Sequence, residues 1–379
     1  MKKALATILA LVMALSVTTM AWADDVAKID GTGYATLQEA VNAANNGQTI
    51  VLQSDVVLTA SLNVAVNKTV TLDLNSYKIT ADMNSPHMIC NAGNLTITDS
   101  SANKTGEIAK IGAETNFGYV IENHGTMTLD RCKISSTSVK SSAIENGWYT
   151  ASANTAGTSC TMTIQNAEVV SVNADGGLYT VKNDDYGVMV INGGVFTNSV
   201  PGAGAVLNWN DLTINGGTFT GASAVRTLKS GSSDFETGKS QIKNGTFNGG
   251  IDTLDGYKTG ITIAVTGGTF STDVTEYLAE GKILQKNGDT YTAVTNSGIT
   301  SGTYTSEPTV PSGYKATKND DGTWTVSKVS YYYYHPTTDT KTTDTKGSPK
   351  TFDAGIALYV GMALTSAAGV AFVGKKRED

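Results

Sequence analysis

Apolar and polar residues alternate in short bursts along most of this chain, and the bursts recur. The stretches "VINGGVF" (190–196), "TINGGTF" (213–219), "QIKNGTF" (241–247) and "AVTGGTF" (264–270) share one pattern. Their equivalent positions Ile191, Ile214, Ile242 and Val265 are spaced by 23, 28 and 23 residues. Upstream, "TLDL", "LTITDS", "MTLDRCKI" and "MTIQNAEV" continue the series through Leu72, Ile97, Leu129 and Ile164. Alternation with period two predicts strands with one face inward. A repeat in the twenties made of strands predicts stacked coils, in which neighbouring copies bury each other's apolar face. Leucine-rich repeats would need a leucine pattern and helical segments that are missing.

A second column runs beside the first: "MICN", "VIEN", "AIEN", "TVKN" and "AVLN", ending at Asn91, Asn123, Asn146, Asn183 and Asn208. Asparagine tolerates the left-handed backbone of a sharp bend. Its amide both donates and accepts, so equivalent copies can hydrogen-bond up the stack. The pairs Gly193-Gly194, Gly216-Gly217 and Gly267-Gly268 predict a second bend where a Cβ would clash. The first coil needs a cap. "ATLQEAVNAANNGQTIVL" (35–52) supplies one. Thr36 and Glu39 form a capping box, Leu37, Ala40, Val41 and Ala44 share one helical face, and Asn46-Gly47 is expected to stop the helix.

After residue 272 the register changes. "GGTFSTDVTEYLAEGKILQKNGDTYTAV" is echoed by "SGTYTSEPTVPSGYKATKNDDGTWTVSKV", with hairpin signals at Asn287-Gly288 and Asp321-Gly322. These two units are read as closing the far end of the stack, with a small separate module as the other reading. The expected organisation is a signal peptide (1–23), a coil domain (24–272), C-terminal β repeats (273–329), a polar tether (330–347) and an anchor segment (348–379).

The ends of the chain carry addresses. Lys2 and Lys3, an apolar run from Ala4 to Met20, and Ala21-Trp22-Ala23 have the form of a cleaved export signal. "TTDTK" occurs twice in the tether, at 337–341 and 342–346. Ala354 to Gly374 is 21 residues without a formal charge, followed by Lys375, Lys376 and Arg377. As a helix that run spans about 31 Å, one hydrocarbon core, with the basic cluster on the cytoplasmic side.

Composition agrees with β structure. Glycine is high at 40 residues, proline scarce at 6, and only 16% of residues are charged. Residues 24–351 carry 22 Lys and Arg against 31 Asp and Glu, a net charge of −9. No basic patch stands out, so no nucleic-acid partner is expected. Cys90, Cys132 and Cys160 are too few and too scattered for a disulfide framework and are read as buried small hydrophobes. No metal-ligand spacing is present and no cofactor is expected.

The "YATLQEAVNAANNGQTIVL" segment followed by such coils resembles the pectate-lyase-like right-handed parallel β-helix superfamily. More narrowly it is similar to surface-anchored β-helix proteins of Gram-positive gut bacteria. The resemblance covers roughly residues 30–330. It implies an all-β, right-handed parallel β-helix with a short N-terminal capping helix and C-terminal β-hairpin units. The tail resembles a Gram-positive cell-wall sorting signal. "SPKTFD" (348–353) stands where the LPxTG pentapeptide would be, with Pro349 and Thr351 matching and Ser348 and Phe352 departing. It implies cleavage between Thr351 and Phe352 by a sortase-like transpeptidase and linkage to peptidoglycan, with a permanent membrane helix as the fallback. Either way the resemblance implies a protein exported and held at the wall or membrane of a Gram-positive cell.

Members of the superfamily that cleave polyuronides use clustered acids with Ca²⁺ and Arg, or paired acids. No such cluster is evident here. The residues preceding the asparagine column are Cys90, Glu122, Glu145, Lys182 and Leu207. Glu122 and Glu145 would lie one strand apart, about 4.8 Å along the stack. Two carboxylates so placed could share a proton. With Asp184 and Asp185 they are the catalytic candidates. The simpler reading, preferred here, is a solvated outer column in which Lys182 offsets the repulsion. His87 follows Pro86 in a loop and is read as solvated. Arg131 and Arg226 frame no obvious acid cluster. The residues after the asparagine column include His124, Trp148, Tyr149, Tyr186 and Trp209, expected along one edge. Flat aromatics beside acids and amides suit sugar stacking. The function expected is therefore a surface-displayed adhesive or structural protein that binds a polysaccharide or host glycan. The alternative is a polysaccharide lyase or glycoside hydrolase, and the third reading is a spacer that only projects from the cell.

Overall fold

The computed structural model describes residues 25–81, 87–110, 118–137, 142–148, 153–154, 157–172, 179–229 and 237–330. The signal segment, the tether beyond Ser330, Thr351, Phe352, the apolar span and Tyr149 lie outside the described residues. Among the described residues no helix is long and apolar enough to cross a membrane. The described part is all-β apart from one α-helix and short 3-10 turns, one of them at Thr275–Tyr277.

Most strands fall into three parallel ladders. The first runs through β3 (Gln48–Leu52), β6 (Thr69–Asp73), β9 (Asn94–Thr98), β12 (Thr126–Ser136), β14 (Cys160–Ser171), β16 (Gly187–Ile191), β19 (Asp211–Ile214), β21 (Lys239–Ile242) and β23 (Thr262–Val265). In it Leu72, Ile97, Leu129, Ile164, Ile191, Ile214, Ile242 and Val265 are register partners in succession, and each is fully buried. The uneven repeat lengths leave this register untouched, because surplus residues sit between strands.

The second ladder takes β4 (Val56–Val57), β7 (Lys78–Ala81), β10 (Glu107–Lys110), the second halves of β12 and β14, β17 (Gly194–Asn198), β20 (Thr218–Thr227), β22 (Thr246–Asp252) and β24 (Thr269–Phe270). Here Phe196, Phe219, Phe247 and Phe270 stack face to face, with centroids 4.9, 5.0 and 4.9 Å apart and planes within 9°. Each aromatic lies two residues after a glycine of positive φ: 113° at Gly194, 114° at Gly217, 135° at Gly245 and 113° at Gly268. A Cβ at Gly194 would lie 2.3 Å from the Ala167 carbonyl oxygen, so the paired glycines mark the corner into the phenylalanine stack.

The third ladder contains β5 (Leu62–Val64), β8 (Ile89–Asn91), β11 (Ile121–Asn123), β13 (Ile144–Asn146), β15 (Tyr179–Asn183) and β18 (Gly204–Asn208), and continues into β20 and β22. Its five column asparagines are buried register partners. Asn91 Nδ2 donates to Asn123 Oδ1 (2.7 Å), Asn123 to Asn146 (2.7 Å), Asn146 to Asn183 (2.8 Å) and Asn183 to Asn208 (2.8 Å). Asn208 ends the series on Ser240 Oγ (3.0 Å). The left-handed backbone expected of these residues is not found; none has a positive φ. The amide, not backbone tolerance, is what the position selects.

The N-terminal end is covered by two devices. β1 (Ala27–Ile29) pairs antiparallel with both β3 and β2 (Thr32–Tyr34). The helix α1 (Leu37–Ala43) carries the capping box on Thr36 and Glu39 and buries Leu37, Ala40 and Val41. From α1, Gln38 accepts from Asn63 N (2.8 Å) and donates to Asn63 O (3.0 Å), so a side-chain amide stands in for a strand on the β5 edge. The helix ends at Ala44, which is extended; Gly47, at φ 91°, turns the chain afterwards into β3.

At the other end β26 (Thr290–Thr295) pairs antiparallel with β24 and with β25 (Lys282–Asn287), through a tight turn at Gly288-Asp289. β27 (Gly302–Tyr304), β28 (Tyr314–Lys318) and β29 (Trp324–Lys328) extend this antiparallel part around a small second core of Ile283, Ile299, Tyr304 and Val326. The described residues up to Val329 belong to one compact unit.

Candidate functional site

The outer column of the third ladder collects the chain's chemistry. Reading up the register, it runs Asn63, Cys90, Glu122, Glu145, Lys182, Leu207, Arg226 and Asp252. Adjacent strands are about 4.8 Å apart, so consecutive members of this column are in reach of each other.

The lower part is a group of acids and imidazoles. Glu122 lies between two histidines, with His87 Nε2 at 3.4 Å and His124 Nε2 at 3.8 Å. His87 is not solvated as its loop position suggested. Its Nδ1 accepts from Tyr119 N (3.1 Å), and its ring stacks on Tyr119 at 5.1 Å. Burial, helped by the Lys110 ammonium, lowers its pKa to about 4, so the imidazole is neutral at pH 7. Burial also lowers His124, which stacks on Trp148 with centroids 3.7 Å apart and planes 2° from parallel. Burial raises Glu122, and raises the Cys90 thiol beside it to about 11.

Glu145 is 1% exposed. The solvated column expected for it is therefore corrected: Glu145 is enclosed and Glu122 is half-buried. Desolvation pushes Glu145 well above the usual carboxylate range; Lys182 opposes this, while Asp184 and Glu122 add to it. Lys182 Nζ sits 3.9 Å from Glu145 Oε1 and 2.5 Å from Asp184 Oδ2. The ammonium thus answers mainly to Asp184, and Glu145 Oε1 has no hydrogen bond. Asp184 and Asp185 are both buried, at the tight turn between β15 and β16. Trp148 N donates to Asp185 O (3.0 Å), a close approach made at Gly147, where a Cβ would meet that same oxygen at 2.6 Å.

The upper part is aromatic. Tyr179, Leu207 and Leu228 form a small cluster outside the main core, and Trp209 packs against it. Tyr257, 42% exposed, meets Trp209 edge-on at 6.1 Å. It is held there by Lys229 N donating to Tyr257 O (2.7 Å) and by a turn from Leu254. Trp209 Nε1 is buried without a hydrogen-bond partner. Arg226 forms a two-pronged pair with Asp252 (2.5 and 3.0 Å) and lies 5.8 Å from the Tyr179 ring centre.

The single aromatic edge of the sequence reading thus divides in two. Trp148 belongs with His124; Trp209 belongs with Tyr257, two strand spacings or roughly 10 Å further on. Tyr186 occupies the β15–β16 turn with a left-handed φ of 60°, and no ring contact joins it to either group among the described residues. Tyr119, Tyr257 and the Arg226–Asp252 pair were missed in sequence. Tyr119 and Tyr257 lie outside the repeated motifs. For the ion pair the signal was present: Arg226 and Asp252 follow the same repeat one copy apart.

Cys132 and Cys160 are buried and Cys90 is half-buried; all three are free thiols. No group of three metal-ligating side chains occurs among the described residues. A cleft of ≈ 340 Å³ opens at the N-terminal end between α1 and residues 55–62, but no member of the outer column lines it. Comparison of the chain with protein-family models, curated proteins and solved structures finds no match.

The buried acid and imidazole titrate in opposite senses. Above its unfolded value of 4.5, Glu145 holds a proton in the native state that the unfolded chain has released. Its contribution to stability is complete below that value and declines as pH rises through the raised folded pKa. Glu145→Gln mimics the protonated form and removes this decline. Thermal unfolding should show the variant matching the parent below pH 4.5 and exceeding it increasingly above. His87, unfolded 6.5 and folded about 4, works the other way, and its contribution is lost as pH falls between those values. His87→Gln should flatten the parent's stability curve in that window. An unchanged pH dependence in both variants would refute the assignment.

Proposed function

We propose that the chain is a right-handed parallel β-helix, displayed outside a Gram-positive cell and anchored through its C-terminal segment, that binds glycans on the outer face of its third ladder. The three in-register ladders support the coil architecture. The Trp209–Tyr257 pair carries the binding reading. An indole with an unsatisfied N–H and a partly exposed phenol, set edge-on outside the main core, form a stacking platform that a bare spacer has no use for. Polar side chains that can meet sugar hydroxyls, Arg226 and Asp252, border it.

Trp209→Ala should weaken retention in affinity gels cast with polysaccharide by roughly thirtyfold or more, since loss of a central aromatic anchor costs about 2 kcal/mol or more. Its circular dichroism should stay that of the parent, because Trp209 packs outside the main core. Unchanged retention would remove the platform from the account.

One observation favours a second reading, glycan cleavage. Glu122 is a partly exposed carboxyl raised by burial and flanked by two neutral imidazoles, an arrangement suited to proton transfer. Glu145 is enclosed, so contact with a substrate would fall to Glu122. Release of reducing ends by the parent and its loss in Glu122→Gln would establish this reading; no release would leave binding alone.

A further inference from the structure

Resting on the glycan-binding reading, we infer that the Trp209–Tyr257 platform takes uncharged glycans and discriminates against polyuronides.

The discrimination comes from how the cations of this face are already engaged. Arg226 is the guanidinium beside the platform. Both prongs of its fork meet Asp252, its register partner on the next strand, at 2.5 and 3.0 Å. Both side chains are mostly shielded, at 22% and 32% exposure, so solvent does not loosen the pair as it does at an open surface. Tyr179 under the guanidinium further fixes its plane. A uronate could take Arg226 as a two-pronged partner only by displacing Asp252. That exchange swaps one carboxylate for another and leaves Asp252 half-buried without its partner.

Neighbouring cations are matched in the same way. Lys182 is held by Asp184 and Glu145, Lys239 faces Asp211 at 3.8 Å, and Lys258 binds Asp255 at 2.8 Å. The last two are exposed and count for less. The net charge of −9 over residues 24–351 also repels a polyanion at a distance. Ring stacking on Trp209 and Tyr257 needs no charge on the sugar, and the Arg226 guanidinium has N–H donors beyond the two that Asp252 engages for single hydrogen bonds to hydroxyls.

The test is retention of the detergent-solubilised full chain in native gels containing galactomannan, xyloglucan or polygalacturonate, at low and at high salt. The parent should be retarded by at least one neutral polysaccharide and not by polygalacturonate. Asp252→Asn should release Arg226 and create polygalacturonate retention that high salt abolishes. Adding Arg226→Gln in that background should remove the gain. Equal retention of the parent by polygalacturonate would overturn the inference and leave glycan binding standing. Retention by none of the three would overturn both. A folded Asp252→Asn variant without the gain would show that Arg226 is not the masked cation, and would also overturn the inference. Should that variant fail to fold, the parent's preference between neutral and acidic gels still decides.

Discussion

Phe219→Ala will destabilise the protein by about 3–5 kcal/mol. Phe219 is fully buried and stacked on both sides, against Phe196 at 4.9 Å and Phe247 at 5.0 Å. Removing its ring leaves a cavity the size of a benzene inside a ladder whose backbone spacing is held by hydrogen bonds, so the neighbours cannot close in. Two stacked pairs disappear at once, each worth about 0.5–1.5 kcal/mol beyond its area. Phe270, at the end of the row, is stacked on one side only by another phenylalanine. Phe270→Ala should therefore cost less than Phe219→Ala. Denaturant unfolding of the two variants checks both the size and the order; equal costs would show that stacking adds nothing to burial here.

Asn146→Ala is the second large effect, expected to cost about 2–6 kcal/mol. Asn146 is fully buried. Its amide accepts from Asn123 and donates to Asn183 Oδ1 and to Val188 O. Truncation leaves at least two buried polar groups short of a partner, at about 1–3 kcal/mol each. The exposed amides supply the control. Gln165, Asn192 and Asn215 form an analogous row on the surface, with bonds of 2.7 Å. Water replaces what Asn192→Ala removes, so that variant should stay within about 0.5 kcal/mol of the parent. Similar losses in the two variants, measured by denaturant unfolding, would refute the view that burial and not bond count sets the energy.

Much of the architecture was legible in the pattern. The anchors Ile97, Leu129, Ile164, Ile191, Ile214, Ile242 and Val265 were aligned from spacing alone, and they are register partners. A strand's inward face must be apolar at every second residue, and stacking repeats that demand at the same place in each coil. The capping box of Thr36 and Glu39 was legible because both partners lie within one helical turn. The asparagine column was read correctly as a column, but with a left-handed backbone. Asparagine suits both a bend and an amide ladder, and composition alone does not separate the two.

The site was less legible. Spacing placed Glu122 next to Glu145, and both in line with Lys182. Whether that column meets water was misjudged, because an outward-pointing side chain on a strand is ordinarily solvated. Exposure depends on what else crosses that face. Here His87, Tyr119 and Trp148 do so, and none belongs to the repeat. Tyr257 likewise reaches Trp209 from a turn 48 residues further along the chain.

Strand direction, register, the inward row of aliphatic and phenylalanine side chains and the helical cap are therefore properties of the sequence, since each follows from local periodicity or from identical residues meeting their own repeats. The enclosure of Glu145, the lowered histidines, the division of the aromatics into two groups and the closure of Arg226 upon Asp252 belong to the tertiary structure. They arise where segments that do not repeat are laid across a surface that does, and desolvation at such crossings is a sum over distant residues that no window of sequence contains.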